Sequence, residues 1–511
     1  MYSKRTFWWL FFLFTLGFTF FAKVYQWDKW LFSFPYSVHQ WRQADGAALA
    51  WNYAQGESFF SPAIQNLQQN GDIHAAGEFP LTYWLAGNFM RFLGGDVWVL
   101  RWVHLAFFWI GAFAFTWLTW QFTKDKWKTV VISSSLFLSP FLMYYAPNYL
   151  PDTPALAMIL VACACLYQAY LSEKSYGMYA ATVFATLSVL LKMTFLLVPL
   201  CFLGLFILFL FAKIELPKSD FWRQQKWLVF THFMVLVGII FLFRLWISHY
   251  NEAHHSNYFF ADIRPIWRYS FAEQKDILLG IRRQLAHSYG SMGLYLLCLV
   301  ALIEIVKQRK TIPPFLLMAI FLHLGACFAI FILLFRMFRE HDYYATCMMT
   351  FPLLVLLVGF SYGVLSIKIF EKWFKRLLFF LCFIGIYQVR KEMIARDRFA
   401  DQHHSYLKNG KSLFEIPQSL LLKQGIPLDA HIFCPEDMSP NTLLLALRRK
   451  GYTYLNFGNR ITPELLTDYQ KYNQMNYLAL TDSTHRSPLL REFYPKLYVN
   501  WENKIWIWGK E

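Results

Sequence analysis

The sequence predicts an α-helical polytopic membrane protein that ends in a soluble α/β domain. Three observations carry this. The 511 residues are 57% hydrophobic and only 16% charged, less charge than a water-soluble chain of that length carries. Apolar runs able to cross roughly 30 Å of hydrocarbon recur up to residue 390 and stop there. The formal charge of +16 is spread over short loops between those runs. That distribution follows the positive-inside rule and is not the basic patch of a nucleic-acid-binding protein. The lipid bilayer is therefore the first partner, and nucleic acid is excluded. The expected division is 1–390 for the membrane region and 391–511 for the soluble domain.

The elements follow in order. Residues 1–6 are basic and precede the apolar run 7–22. Lys23, Tyr25, Trp27 and Trp30 stand where a signal peptide would show small residues, so a retained first helix is expected. Further spans are expected at 98–121, 129–146, 154–171, 177–191, 194–212, 227–247, 291–306, 314–335, 346–366 and 377–389, eleven in all. The stretch 177–212 also reads as one long kinked helix, which would leave ten.

Charge decides between the two counts. With eleven spans and an inner N-terminus, one side receives Lys4/Arg5, Lys124/Lys126/Lys128, Lys174, Lys213/Lys218/Arg223/Lys226, Lys307/Arg309/Lys310 and Lys368/Lys372/Lys375/Arg376. Ten spans would move the last clusters outside, against the bias that sets orientation. The outer side then carries two long loops (23–97 and 248–290), a short link near Asp152, the segment 338–344 and the C-terminal domain. None of the eight cysteines forms a CxxC pair. Seven lie in or beside apolar runs as small hydrophobes, and Cys434 is alone in the C-terminal domain, so no disulfide framework is implied.

Within 391–511, strands are expected at 431–434 and 476–481, helices at 442–450 and 463–472, and a hairpin across 496–508. Ser439 or Asn441 would cap the first helix. No glycine-rich phosphate loop and no repeat occurs there. The domain reads as an outer cap or acceptor platform.

Three outer segments combine acids with punctuating residues. Arg42-Gln43-Ala44-Asp45 opens a helical stretch, with Asp45 and Asn52 on one face. Glu78-Phe79-Pro80 precedes Tyr83-Trp84-Leu85 and places an acid at a proline-preset helix start. Pro151-Asp152-Thr153-Pro154-Ala155 puts a carboxylate at the bilayer edge, which is costly unless it has a partner or a task. Taken singly, a surface ion pair, a helix-start acid and a helix cap explain these residues equally well.

Together, in this order and on this side, the segments resemble the GT-C superfamily of integral membrane glycosyltransferases. The likeness is to the bacterial branch related to protein O-mannosyltransferases and lipid A aminoarabinose transferases, and it covers 1–390. The resemblance implies a sugar taken from a polyprenyl-phosphate donor and moved, with inversion, to an envelope acceptor (lipid A, glycan or protein). By the resemblance Asp45 is the base, Asp152 the second acid that orients the acceptor or Asp45, and Glu78 the acid that shapes the same pocket. It implies a bacterial inner membrane, with the C-terminal domain outside the cytoplasm.

Donor phosphate and sugar would meet Lys192, Arg42, and Arg339, His341 and Tyr344 of the element His341-Asp342-Tyr343-Tyr344. Arg264, Arg268, Arg282 and Arg283 are further basic candidates. Snorkelling explains Lys192 as well, and an interfacial aromatic belt the others. No cofactor is required. A divalent ion held by Asp45, Glu78 and His341 is one option, although no dense ligand motif occurs. The rival readings are a transporter or flippase of lipid-linked glycans, a non-catalytic envelope assembly protein, and an O-antigen ligase or polymerase. A transporter should carry charges along its helices, whereas the conspicuous acids here lie in loops.

Overall fold

The computed structural model describes residues 4–68, 71–211, 216, 218–256, 258, 263–363, 368–402, 412–457 and 461–510. Lys213 and the side chains of Lys4 and Lys368 lie outside the described residues. Among those described, seven helices are long and apolar enough to cross a membrane: Arg5–Val24, Val99–Thr123, Asp152–Ser172, Met193–Phe211, Lys226–Ala253, Pro314–Leu333 and Asp342–Tyr362. The pair Phe271–Tyr289 and Met292–Lys307, bent by 95° at its break, adds an eighth if counted as one span. Tyr176–Leu191 is apolar but shorter, and the expected span 377–389 lies within the 35-residue helix Lys368–Gln402. The protein is thus an α-helical multi-pass membrane protein with a small C-terminal sheet.

One expected span has a different form, and the pair 177–191 and 194–212 is separate as expected. The stretch 129–146 is broken into Lys126–Ser135, a 3-10 turn at Leu136–Leu138 and a new helix at Pro140–Tyr145. Proline tolerates only a first-turn position, so Pro140 restarts the helix. The stretch 177–212 is two helices, because Lys192 is extended (φ −153°, ψ 107°) between Tyr176–Leu191 and the turn Met193–Leu196.

Apolar burial holds the bundle, and small residues let helices approach. Gly111 of Val99–Thr123 lies so close to Ala157 of Asp152–Ser172 that a β-carbon there would collide with it. Gly46 meets the Tyr149 carbonyl in the same way, which brings the helix Gln40–Ala54 onto the short link before Asp152. Arg101 is fully buried in this region. It donates to the carbonyls of Ser33 (2.9 Å), Pro147 (2.7 Å) and Phe34 (3.3 Å), and so ties the first loop to that link.

The C-terminal domain is a five-stranded mixed sheet ordered β2-β1-β3-β5-β4. The strands are β1 (His431–Cys434), β2 (Lys450–Thr453), β3 (Tyr477–Leu480), β4 (Lys496–Trp501) and β5 (Ile505–Gly509). β1 pairs in parallel with β2 and β3, and β5 antiparallel with β3 and β4. The expected helix 442–450 is shorter, Thr442–Leu447, because Arg448 turns left-handed (φ 54°) and β2 begins at Lys450. Its first turn is capped by Ser439, which accepts from Thr442 N–H (3.0 Å), and by Asp437, which accepts from Leu443 N–H (2.7 Å). Asn441 faces elsewhere.

The first loop completes the edge of this sheet. Leu67 N–H donates to the Gly451 carbonyl (2.7 Å), and Gly451 N–H to that of Gln65 (3.2 Å). One hydrophobic cluster joins Ala44, Ala48 and Tyr83 of the first loop to Leu443, Leu447 and Ile432 of the domain. The two regions share a core.

Candidate active site

The three acidic segments converge. Arg42 and Asp45 stand on the helix Gln40–Ala54, Glu78 precedes the helix Leu81–Leu93, Asp152 begins the helix Asp152–Ser172, and Lys192 occupies the break after Leu191. Their charges alternate along a chain. Arg42 Nη1 lies 3.9 Å from Asp45 Oδ2, and Arg42 Nη2 lies 2.5 Å from Glu78 Oε2. Lys192 Nζ lies 3.9 Å from Glu78 Oε1 and 3.2 Å from Asp152 Oδ1. Tyr83 donates to Glu78 at 2.7 Å.

Asp45 and Asp152 are 4% and 1% exposed. Ionised carboxylates survive at that depth only with partners. Asp45 accepts from Asn441 Nδ2 at 2.9 Å and from the Tyr258 hydroxyl. Asn441 in turn accepts from the Gln65 and Asn66 N–H groups at 2.9 and 3.3 Å. Sequence reasoning had Asn441 as a possible helix cap and missed its contact with Asp45. Its signal was a polar side chain just before a helix, which local capping explains equally well.

Environment separates the acids. Burial pushes Asp45 above the ordinary carboxylate range, more than Arg42 and its hydrogen bonds pull it down. Burial opposes the charge of Glu78 too, but Arg42 and Lys192 outweigh it and hold Glu78 below its ordinary value. Carboxylates driven apart in this way take different roles, the raised one being the stronger base.

The aromatic element packs on the same cluster. Lys192 Nζ sits 5.0 Å from the Tyr343 ring centroid and 4.7 Å from that of Tyr344, a cation–π arrangement. His341 stacks near Trp41, with ring centroids 6.3 Å apart. Burial, with His39 and Lys192 nearby, pushes His341 down to about 3, so its imidazole is neutral. Arg339 goes elsewhere. It pairs with Asp276 and is not drawn into the cluster, and Arg264 pairs with Glu340 at 3.4 Å.

Several buried polar atoms here have no hydrogen-bond partner: Arg42 Nη1, Asp152 Oδ2, His341 Nδ1 and Thr82 Oγ1. Such atoms are rare in folded proteins and ask for a cause. A polar ligand that reaches these atoms would satisfy them. As a metal centre the set fits poorly. Glu78 already serves Arg42 and Tyr83, and Asp45, Glu78 and His341 do not form a close ligand group among the described residues.

Below the cluster, Asp342 is sequestered. Its Oδ1 accepts from Tyr145 (2.6 Å) and lies 3.5 Å from His39 Nε2, and its Oδ2 accepts from Ser288 (2.7 Å) and Arg396 Nη2 (2.7 Å). Neither Asp342 nor Arg396 was singled out from the sequence.

No protein-family model matches the chain, and no curated protein matches it in sequence. Solved structures do match. The chain is similar to ArnT from Cupriavidus metallidurans in the apo state, with TM-score 0.60 and 11% identity, covering 100% of this chain and 99% of that one. Against ArnT bound to undecaprenyl phosphate the TM-score is 0.60 at 12% identity, covering 97% and 98%. Against the archaeal oligosaccharyltransferase AglB from Archaeoglobus fulgidus, in complex with an inhibitory peptide and a dolichol-phosphate, it is 0.54 at 12% identity, covering 100% and 75%. At these identities the likeness is one of architecture: the chain shares the fold of ArnT and AglB.

Proposed function

We propose that this protein is a membrane glycosyltransferase that moves a sugar from a polyprenyl-phosphate donor to an envelope acceptor, with inversion, at the outer face of a bacterial inner membrane. The observation that carries the reading is the convergence of Asp45, Glu78, Asp152, Arg42 and Lys192 into one buried, incompletely satisfied cluster within a GT-C fold. The neighbours bound to undecaprenyl phosphate and to a dolichol-phosphate support the donor class.

In this reading the acceptor hydroxyl attacks the anomeric carbon as the bond from that carbon to the phosphate oxygen breaks. The hydroxyl proton passes to Asp45, and polyprenyl phosphate leaves. Asp45 suits the base because burial raises its proton affinity. Glu78, held ionised by Arg42 and Lys192, keeps those cations in place. Arg42 Nη1, 3.9 Å from Asp45 Oδ2 and without a hydrogen bond, is the donor best placed to meet developing charge on the leaving phosphate. Asp152 fixes Lys192 and offers Oδ2 to acceptor or sugar. His341 and Tyr344 line the same pocket, while Arg339 takes a peripheral part at most. No step is routed through a metal ion, and the C-terminal domain contributes Asn441 as a positioning residue for Asp45.

The test is turnover by purified protein in lipid, with a panel of polyprenyl-phosphate sugars and an envelope extract. Wild type should transfer one of them, and Asp45→Asn should bind donor without transferring it. Equal transfer by both would remove Asp45 as the base. No transfer with any donor, together with glycolipid movement across vesicles, would replace the reading with a flippase.

A further inference from the structure

A second cluster lies outside that site. Asp72 and His74 belong to the first long loop, and His254 follows the helix Lys226–Ala253. His74 Nδ1 is 2.5 Å from Asp72 Oδ1, and His254 Nδ1 contacts Asp72 Oδ2. The two imidazole centroids are 4.8 Å apart. One donor atom from each of the three residues lies within 4.8 Å of the others. Glu57 Oε2 stands 3.5 Å from His74 Nε2 as a nearby fourth group.

We propose that Asp72, His74 and His254 form a transition-metal site, best suited to zinc, that clips the first loop to the end of the helix Lys226–Ala253. Two imidazoles and a carboxylate are a common zinc donor set, with bonds of about 2.0–2.2 Å, and small side-chain adjustments bring these three to that spacing. Carboxylate-only sites favour calcium or magnesium, whereas imidazole selects the later first-row metals. The backbone around the cluster is already fixed. Asn251 donates to the Ala76 carbonyl and accepts from the Ala76 N–H, both at 2.8 Å. The N–H groups of Ile73 and His74 hold Asp72 Oδ1 at 2.6 and 3.1 Å. All three side chains are partly exposed, so an ion can enter from water.

The clip joins two segments that each deliver a residue to the candidate active site. His74 precedes Glu78, and His254 precedes Tyr258, the hydroxyl partner of Asp45. This positioning role rests on the proposed function, whereas metal binding itself does not.

The test uses the full-length protein in lipid, stripped by chelation and dialysed against buffered zinc. Elemental analysis should find one equivalent of zinc fewer in His74→Ala and in His254→Ala than in wild type. Asp45→Asn should keep the wild-type content. Zinc should raise the melting temperature of wild type and leave that of His254→Ala unmoved. Cobalt-loaded His254→Cys should gain a thiolate-to-metal absorption band, which guards against alanine variants that merely misfold. Wild type without stoichiometric metal, alanine variants that keep the full content, or a monodisperse His254→Cys lacking the band would each overturn the site. In those cases the cluster is a hydrogen-bonded His–Asp–His group only.

Discussion

Two buried charge clusters sit close together in this molecule and are built differently. Around Asp342 both carboxylate oxygens are taken, by Tyr145, Ser288 and Arg396, and the Arg396 guanidinium lies 4.8 Å over the Tyr144 ring. Around Asp45, Glu78 and Asp152 three carboxylates face two cations, and Arg42, Asp152 and His341 each keep a buried polar atom without a hydrogen bond. A carboxylate with both oxygens taken has nothing left to offer a ligand, although Arg396 Nε and Nη1 themselves lack hydrogen bonds, so the work of Asp342 is to hold the helix Lys368–Gln402 against the bundle. An unsaturated one bears a standing desolvation cost that a polar ligand relieves. Burial is alike in the two. The state of the carboxylate oxygens separates the two: Asp152 Oδ2 is open, and Asp342 has neither oxygen free.

The sharpest way to break the comparison is Asp45→Asn. Transfer should fall by about 10²–10⁴-fold, as for loss of a general base, while donor binding and melting temperature stay near wild type. Single-turnover assays and thermal unfolding would read the two effects. Next, Arg396→Met should destabilise by about 3–5 kcal/mol, because it leaves Asp342 charged and buried. Its residual activity should track the folded fraction alone. If this variant proved stable but inactive, the division between the clusters would collapse.

Lys192→Met should lower stability, by the same argument applied to Asp152, and should impair catalysis beyond the loss of folded protein. It strips the partner of Asp152, and a loss of about 10²–10³-fold in kcat is expected for one removed electrostatic contact. Asp437→Ala, within electrostatic reach of Asp45, should cost about 1–3 kcal/mol through loss of its bonds to Leu443 N–H and Ser439, with no change in donor specificity. The smallest effect concerns pH. Asp45 acts only when deprotonated, and its proton affinity is raised, so activity should be lost as pH falls through a value above the ordinary 3.8. Glu78, shifted the other way, should add no limb in that range. A pH–rate profile whose acid limb sits at the ordinary carboxylate value would contradict the burial argument.

Much of the candidate site was legible because its parts are local. Arg42 and Asp45 share one helical turn, Pro80 and Pro151 announce helix starts, and Lys192 interrupts an apolar run where nothing but a partner or snorkelling would keep a lysine. Arg339 was read from the same kind of signal, a charge beside an aromatic element, yet it pairs with Asp276. Helix direction decides that outcome, and spacing along the chain does not report it. Helix 442–450 failed at its end for a related reason: parallel pairing with β1 claims Lys450–Thr453 for the sheet and overrides local helix preference.

By itself the sequence determined what depends on neighbours a few residues away: the apolar runs, the caps, the hairpin and the three acidic motifs. Hydropathy, capping and turn chemistry act over one or two helical turns, so they can be read along the chain. Tertiary structure alone decided which distant groups meet. It brought Asn441 onto Asp45 across 396 positions, Arg396 onto Asp342, and His254 onto Asp72. Those contacts follow from how close-packed helices and a shared core orient their side chains, and no local pattern encodes the angle at which two surfaces come together.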